Sequence, residues 1–190
     1  MQQLQSLTNL AIRQRIRMMV NQYEVRAALP DGSEGDLLAF AQQKRMAFKE
    51  QVTLYTDDSK QYPVLSFKAR QVVDLGATYD VFDAQGQPIG LFRKDFKQSI
   101  LRSTWHVEQP QFPPVVGQER NQILGVLRRL SDLAKIIPYH FDFTANGDPV
   151  FAIDKQWGLR DRYSVEIANP YIDRRLVIAM AVAADALQGR

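Results

Sequence analysis

Cysteine is absent from this 190-residue chain. Its absence excludes a disulfide framework and any thiolate metal site, and it is compatible with an intracellular compartment. Histidine is scarce too. The two in the chain, His106 and His140, lack the H-x-x-x-H spacing of a zinc site and sit inside strand-like patterns flanked by aromatics. No G-x-S-x-G nucleophile elbow occurs, and "DGSEGD" from Asp31 is an acidic turn, hostile to phosphate. Charge of one sign is modest: the net is +3 and the pI about 9.2. That permits contact with anionic lipid, but it leaves nucleic acid without an extended basic footprint or an RNP-like motif. The opening "MQQLQSLTNLAIRQR" is polar where a signal peptide needs an apolar segment. The expectation is one domain over residues 1–190, cytoplasmic and monomeric, without catalytic residues, metal or cofactor, and without a nucleic-acid partner.

Long hydrophobic runs are also missing, with one near-exception. "DRRLVIAMAVAADALQG", Asp173 to Gly189, is the most apolar stretch. Its apolar part, Leu176 to Leu187, makes about 18 Å of helix, against the ~30 Å of a bilayer core. Asp173, Arg174 and Arg175 block extension backwards, and Asp185 interrupts the far end. Leu176, Val177, Ile178, Met180, Val182 and Leu187, padded by alanines, leave the helix no polar face. A short helix apolar all round belongs in the centre of a fold. Asp173 suits the N-cap and Gly189 the stop, predicting a central helix over about 173–188. Leu176, Ile178, Met180 and Val182 are its structural core residues.

Before this helix the chain reads as strands, and it repeats. "YDVFDAQGQPIGLFRKD" from Tyr79 and "HFDFTANGDPVFAIDKQ" from His140 align at an offset of 61, setting Phe82 on Phe143, Gly86 on Gly147 and Lys94 on Lys155. "STWHV" matches "DRYSV", which puts Trp105 on Tyr163. "LYTDDSKQYPVLSFKAR" and "YEVRAALPDGSEGDLLAFAQQKR" read as weaker copies. Asn146-Gly147 suits a type I′ hairpin turn, and Gln85-Gly86 needs positive φ at the glycine. Four three-strand units predict about a dozen strands. A sheet that large tends to close, and its lumen is too wide for its own side chains. The apolar helix is the missing plug. The predicted fold is therefore α+β, mostly β: a closed antiparallel barrel of about twelve strands around a buried C-terminal hydrophobic helix. One segment interrupts the strands. Ile123, Leu124, Leu127, Leu130 and Leu133 recur at helical spacing, predicting an inserted amphipathic helix at about 118–136.

These segments, in this order, resemble the LURP-one-related family of the Tubby C-terminal-like superfamily, to which phospholipid scramblases also belong. The residues that carry the resemblance are "YDVFDAQGQPIGLFRKDFKQSILRSTWHV", "PYHFDFTANGDPVFAIDKQWGLRDRYSVEI" and "DRRLVIAMAVAADALQGR", with "LAIRQRIRMMVNQYEV" as the opening strand. The resemblance implies a twelve-stranded antiparallel barrel around a buried helix. It also implies relatives that bind phosphoinositide headgroups and relatives that act at membranes with calcium. A shared fold does not carry a shared site, so the residues must speak for themselves.

For calcium they speak against. Asp142, Thr144, Asn146, Gly147 and Asp148 mimic the first half of an EF-hand loop, but its twelfth position is Ile153 where a bidentate glutamate belongs, and the flanks read as strands. For an anionic ligand, Arg93, Lys94, Lys97 and Arg102 lie in and after one bend, and Lys44, Arg45 and Lys49 lie in a corresponding one. Arg13, Arg15 and Arg17 share one strand face. Two readings follow. One is a binding module for anionic phospholipid headgroups or a phosphoinositide-like ligand, peripheral at a membrane, with Arg93, Lys94, Lys97 and Arg102 at a basic barrel rim. The other is a protein-interaction or scaffold module that uses the inserted helix.

The plug carries one prediction by itself. Its six large side chains supply about 9–18 kcal/mol of burial as an upper bound, comparable to the net stability of a domain. Deleting residues 173–190 should abolish the cooperative thermal transition; a soluble truncation that still melts cooperatively would contradict the buried-helix reading.

Overall fold

Strict alternation builds the walls. In the segment His140–Ala145, Phe141, Phe143 and Ala145 are buried while His140, Asp142 and Thr144 are not. A period of two places one face in the core and the other outside. The computed structural model describes residues 2–16, 20–44, 51–70, 78–95, 104–120, 139–156 and 162–188. After a one-turn helix α1 (Gln2–Gln5) come β1 (Asn9–Ile16), β2 (Val20–Ala28), β3 (Glu34–Lys44), β4 (Gln51–Tyr55), β5 (Pro63–Ala69) and β6 (Thr78–Asp83). Then follow β7 (Pro88–Asp95), β8 (Thr104–Glu108), β9 (Val115–Glu119), β10 (His140–Ala145), β11 (Asp148–Lys155) and β12 (Arg162–Ile167). The last element is helix α2 (Arg174–Gln188).

Each strand pairs antiparallel with its sequence neighbours, and β1 pairs with both β2 and β12, so the twelve strands form a closed barrel. Leu10 lies opposite Ala27 on one side and Val165 on the other. The helix lies inside. Every residue from Leu176 to Ala184 is at most 1% exposed, including Leu176, Ile178, Met180 and Val182. Among the described residues no helix is long and apolar enough to cross a membrane.

The repeat is real, but its alignment needs two corrections. Tyr79 pairs with Phe92 as Phe141 pairs with Ile153, and Val81 with Gly90 as Phe143 with Phe151. The first strands therefore correspond at an offset of 62 and the second strands at 61. Phe143 matches Val81, not Phe82. A single offset would have turned every inward side chain of one strand outward, so the β6–β7 turn takes up one extra residue. The unit also spans four strands rather than three. Arg70, just after β5, forks onto Asp80 with bonds of 2.7 and 2.8 Å. Arg120, just after β9, does the same to Asp142. Twelve strands hold three such spans. The inserted segment is corrected at its start, because Gln118 and Glu119 belong to β9, where Gln118 lies opposite Thr104 and Asp142. Residues 121–138 lie outside the described ones.

At its start α2 is held by a polar knot. The Asp173 carboxylate caps the helix by accepting the Arg175 N–H at 2.9 Å, and it also accepts from the Gln5 amide at 2.8 Å. Burial pushes this carboxyl up. The hydrogen bonds from Arg175 and Gln5 outweigh that effect, and the net displacement is below the ordinary value. Arg174 is 2% exposed. A cation in the first turn opposes the helix dipole, but its guanidinium donates to the carbonyls of Leu7 (3.0 Å), Pro170 (2.8 Å) and Ile172 (2.8 Å). Gln109 accepts from the Asp173 N–H at 2.7 Å and donates to the Tyr171 carbonyl at 3.0 Å. The N-terminal segment, the β8–β9 loop and the helix start thus share one network.

Two glycines let the wall and its contents approach. A Cβ on Gly117 would lie 2.2 Å from the Phe143 ring. On Gly90 it would meet the Glu108 carbonyl at 2.4 Å and Leu176 at 2.8 Å, and that carbonyl is held in the sheet. Gly90→Ala should therefore lower the urea midpoint, costing about 1–3 kcal/mol with the slope unchanged. An unchanged midpoint would mean that the helix does not seat against β7 as described.

Candidate functional site

Antiparallel connection sorts the loops between two ends. The segments 29–33, 56–62, 84–87, 109–114, 146–147 and 168–173 meet at the end where α2 starts. The other six connections leave from strand ends at the opposite rim, the mouth, toward which α2 runs.

Inside the mouth the dry lumen gives way to a polar layer. Lys155 is inward and 9% exposed, and its Nζ stands 5.7 Å from the ring centres of both Tyr139 and Tyr163. Lys94, its counterpart at the same offset of 61, faces inward with Nζ 5.6 Å from the ring centre of Trp105. Lys94 lies opposite Trp105 as Lys155 lies opposite Tyr163, so the alignment of Trp105 with Tyr163 is borne out. The Asp185 carboxylate, near the end of α2, accepts from the Tyr23 hydroxyl at 2.7 Å and from the Tyr163 hydroxyl. Gln14 donates to the Tyr23 oxygen at 2.9 Å. Burial, then the charge of Asp185, pushes the Tyr23 phenol well above its ordinary value, so it stays a donor. Tyr23 belongs to β2 and Tyr163 to β12, the two neighbours of β1. Asp185 therefore ties the helix to both sides of the strand that closes the barrel.

Of the four expected basic residues two are described, and they face opposite ways. Arg93 and Lys94 are sequence neighbours in β7, so Lys94 enters the lumen while Arg93 lies on the outer wall, opposite His106 in β8. Lys97 and Arg102 lie outside the described residues, as do Arg17, Arg45 and Lys49. On the outer wall many cations meet carboxylates. Arg13 pairs with Glu34 at 2.5 Å, Arg15 with Glu24 at 3.1 Å, and Arg26 with Glu24 at 3.4 Å. His106 stands 3.6 Å from Asp95, and His140 is 2.7 Å from Asp154. The calcium-like stretch is a hairpin turn, with φ of 53° at Asn146 and 93° at Gly147, and Asp142 is engaged by Arg120. Among the described residues no group of three or more His, Asp or Glu could hold a metal ion.

Tyr23, Lys155, Tyr163 and Asp185 are not among the site residues expected from the sequence. Lys155 could have been found, because it matches Lys94 in the repeat. Asp185 could also have been found, as the one charge within an apolar helix. Removing it leaves two buried phenols short of an acceptor, worth about 1–3 kcal/mol. In a double-mutant cycle, Tyr163→Phe and Asp185→Ala should couple by at least ~0.5 kcal/mol in urea unfolding; strict additivity would mean that the contact contributes nothing to holding the helix.

Comparison with known proteins agrees with this architecture. The family model described as LURP-one-related matches residues 38–185, from β3 to Asp185 itself. No curated protein matches the chain. Among solved structures, a porin-like protein from Bacteroides uniformis ATCC 8492 aligns at 7% identity over 85% of this chain and 97% of that one, with a TM-score of 0.26, too low to bear on fold or function. The barrel, its buried helix and the matched range together make the chain a member of the LURP-one-related family.

Proposed function

We propose that the protein is a non-enzymatic binding module that presents its mouth to anionic phospholipid headgroups. The observation that carries this reading is the difference in charge between the two ends. Within the connections at the mouth, residues 17–19, 45–50, 71–77, 96–103, 121–138 and 157–161 contain nine Lys and Arg against four Asp and Glu, a net +5. The connections at the other end contain Asp31, Asp57, Asp58 and Asp173 against Lys60, a net −3. A whole-chain charge of +3 conceals this separation. Each basic residue near an anionic bilayer contributes about 1 kcal/mol, so a net of five supports weak recruitment that salt weakens. The mouth segments also carry Met18, Met19, Phe48, Phe96 and Leu101, apolar side chains suited to the interfacial zone. Lys97 and Arg102 are the leading contacts, with Arg93 beside them in sequence. Lys94 contributes less, because it points inward.

A second reading has its own support. The β9–β10 connection, residues 120–139, is twenty residues long, far beyond the about 2–5 residues of an ordinary hairpin loop. On that reading the same end binds a protein partner through apolar contacts that salt spares.

Vesicle co-sedimentation separates the two. The protein should pellet with anionic and not with neutral vesicles, be released at physiological salt, and lose pelleting in the double variant Lys97→Glu, Arg102→Glu. Equal pelleting in calcium and in chelator is expected. Failure to pellet with anionic vesicles at low salt would overturn the headgroup reading in favour of the protein partner.

A further inference from the structure

The end opposite the mouth carries a second concave surface of different chemistry. A groove of about 480 Å³ lies between the β8–β9 loop, the β10–β11 hairpin and the segment after β12. Its volume falls within the range of about 300–1,000 Å³ usual for small-ligand sites. Among the described residues no Lys, Arg or His lines it, and Asp148 is the one charged residue that does. The lining therefore offers an anionic ligand no cation. On the wall stands Tyr171, 79% exposed, the most exposed large apolar side chain among the described residues. Its backbone is held on both sides. The N–H donates to the Asn169 side chain at 2.9 Å, and the carbonyl accepts from Gln109 at 3.0 Å, the same Gln109 that accepts from the Asp173 N–H. The backbone that carries the aromatic ring is thus anchored in the network that holds the central helix.

The polar groups beside it are also presented at a cost. Among the described residues three non-glycine residues have positive φ, and two of them, Gln111 (61°) and Asn146 (53°), line this groove. At Asn146 this is the hairpin turn's own geometry, whereas at Gln111 a left-handed conformation costs about 1–2 kcal/mol, and such strain gathers at functional sites. The groove therefore offers an exposed aromatic face, one carboxylate and four amide side chains, of which Gln109 and Asn169 are bonded to backbone and Gln111 and Asn146 remain as the proposed contacts. Amides and carboxylates form paired hydrogen bonds with adjacent hydroxyl groups, while the apolar C–H face of a sugar ring packs on an aromatic ring. We propose that this groove is a binding site for a short neutral saccharide, with Tyr171 as the stacking platform and Gln111, Asn146 and Asp148 as partners for its hydroxyls. The site is independent of the mouth, so its success or failure leaves the membrane reading untouched.

The test is a ¹⁵N NMR titration of the full-length chain with maltose, cellobiose, chitobiose and mannobiose, each into the millimolar range. At least one should cause saturable shifts confined to the Tyr171 backbone amide, the Gln111 and Asn146 side-chain amides, and their neighbours. Tyr171→Ala and Asp148→Ala should each weaken that binding about tenfold. Both side chains are exposed, so the thermal midpoint should not move; vesicle pelleting should not change either. Absence of saturable shifts with all four sugars, shifts centred elsewhere, or binding that survives both substitutions would overturn the proposal. So would a proline-rich peptide that saturates the groove when the sugars do not.

Discussion

A twelve-stranded barrel encloses more space than its own inward side chains can fill, and an empty apolar lumen forfeits dispersion contacts on every side. The architecture therefore depends on putting an apolar object inside the barrel and holding it there. Helix α2 is that object. Leu176, Ile178, Met180 and Val182 face wall in every direction, and the interleaved alanines let the strands come close. Gly90 is the same requirement seen from the wall, a position where a methyl group would occupy space already taken by Leu176 and the Glu108 carbonyl, while Gly117 makes room for the Phe143 ring of the neighbouring strand.

A helix inside a barrel brings polar ends into a dry place, since backbone donors and acceptors at its termini lack helical partners. The two ends are handled differently. At the start, Asp173 caps the helix and Arg174 gathers three carbonyls from the segments before β1 and after β12. At the far end, Asp185 takes two phenols from the strands flanking β1. Both attachments bear on barrel closure, because β1 is the strand that joins the last of the sheet to the first. The matched family range begins at Leu38, yet the closure uses β1 and β2, and Gln5 and Leu7 take part in the knot that holds the helix.

Closure also separates the two ends chemically. Connections at one end are short and acidic, and those at the other are longer and basic. The outer wall between them is largely charge-balanced, through forks such as Arg70–Asp80 and Arg120–Asp142. On such a scaffold the two ends are the surfaces that differ, and the two proposals place anionic headgroups at the mouth and a neutral hydroxylated ligand in the groove opposite. The paired lysines Lys94 and Lys155, each over an aromatic ring, mark where the lumen stops being dry.

Much of this was legible in the sequence by itself. The twelve-residue limit on the apolar run, its lack of a polar face and the Asp173 cap determined a buried central helix. The repeated hairpins determined a large sheet, and Asn146-Gly147 determined a tight turn. These follow from local periodicity and turn chemistry, which a single stretch of chain expresses. Only the tertiary structure decided the rest. The repeat slips by one residue because inward alternation must survive the turn, and the unit is four strands because sheet neighbours, not sequence similarity, define it. Arg93 and Lys94 look like one basic patch in the sequence and part company in the strand. Asp185 looks like an interruption in the helix and proves to be its anchor. Pairing and burial are long-range properties, and a side chain's partner need not be near it in the chain.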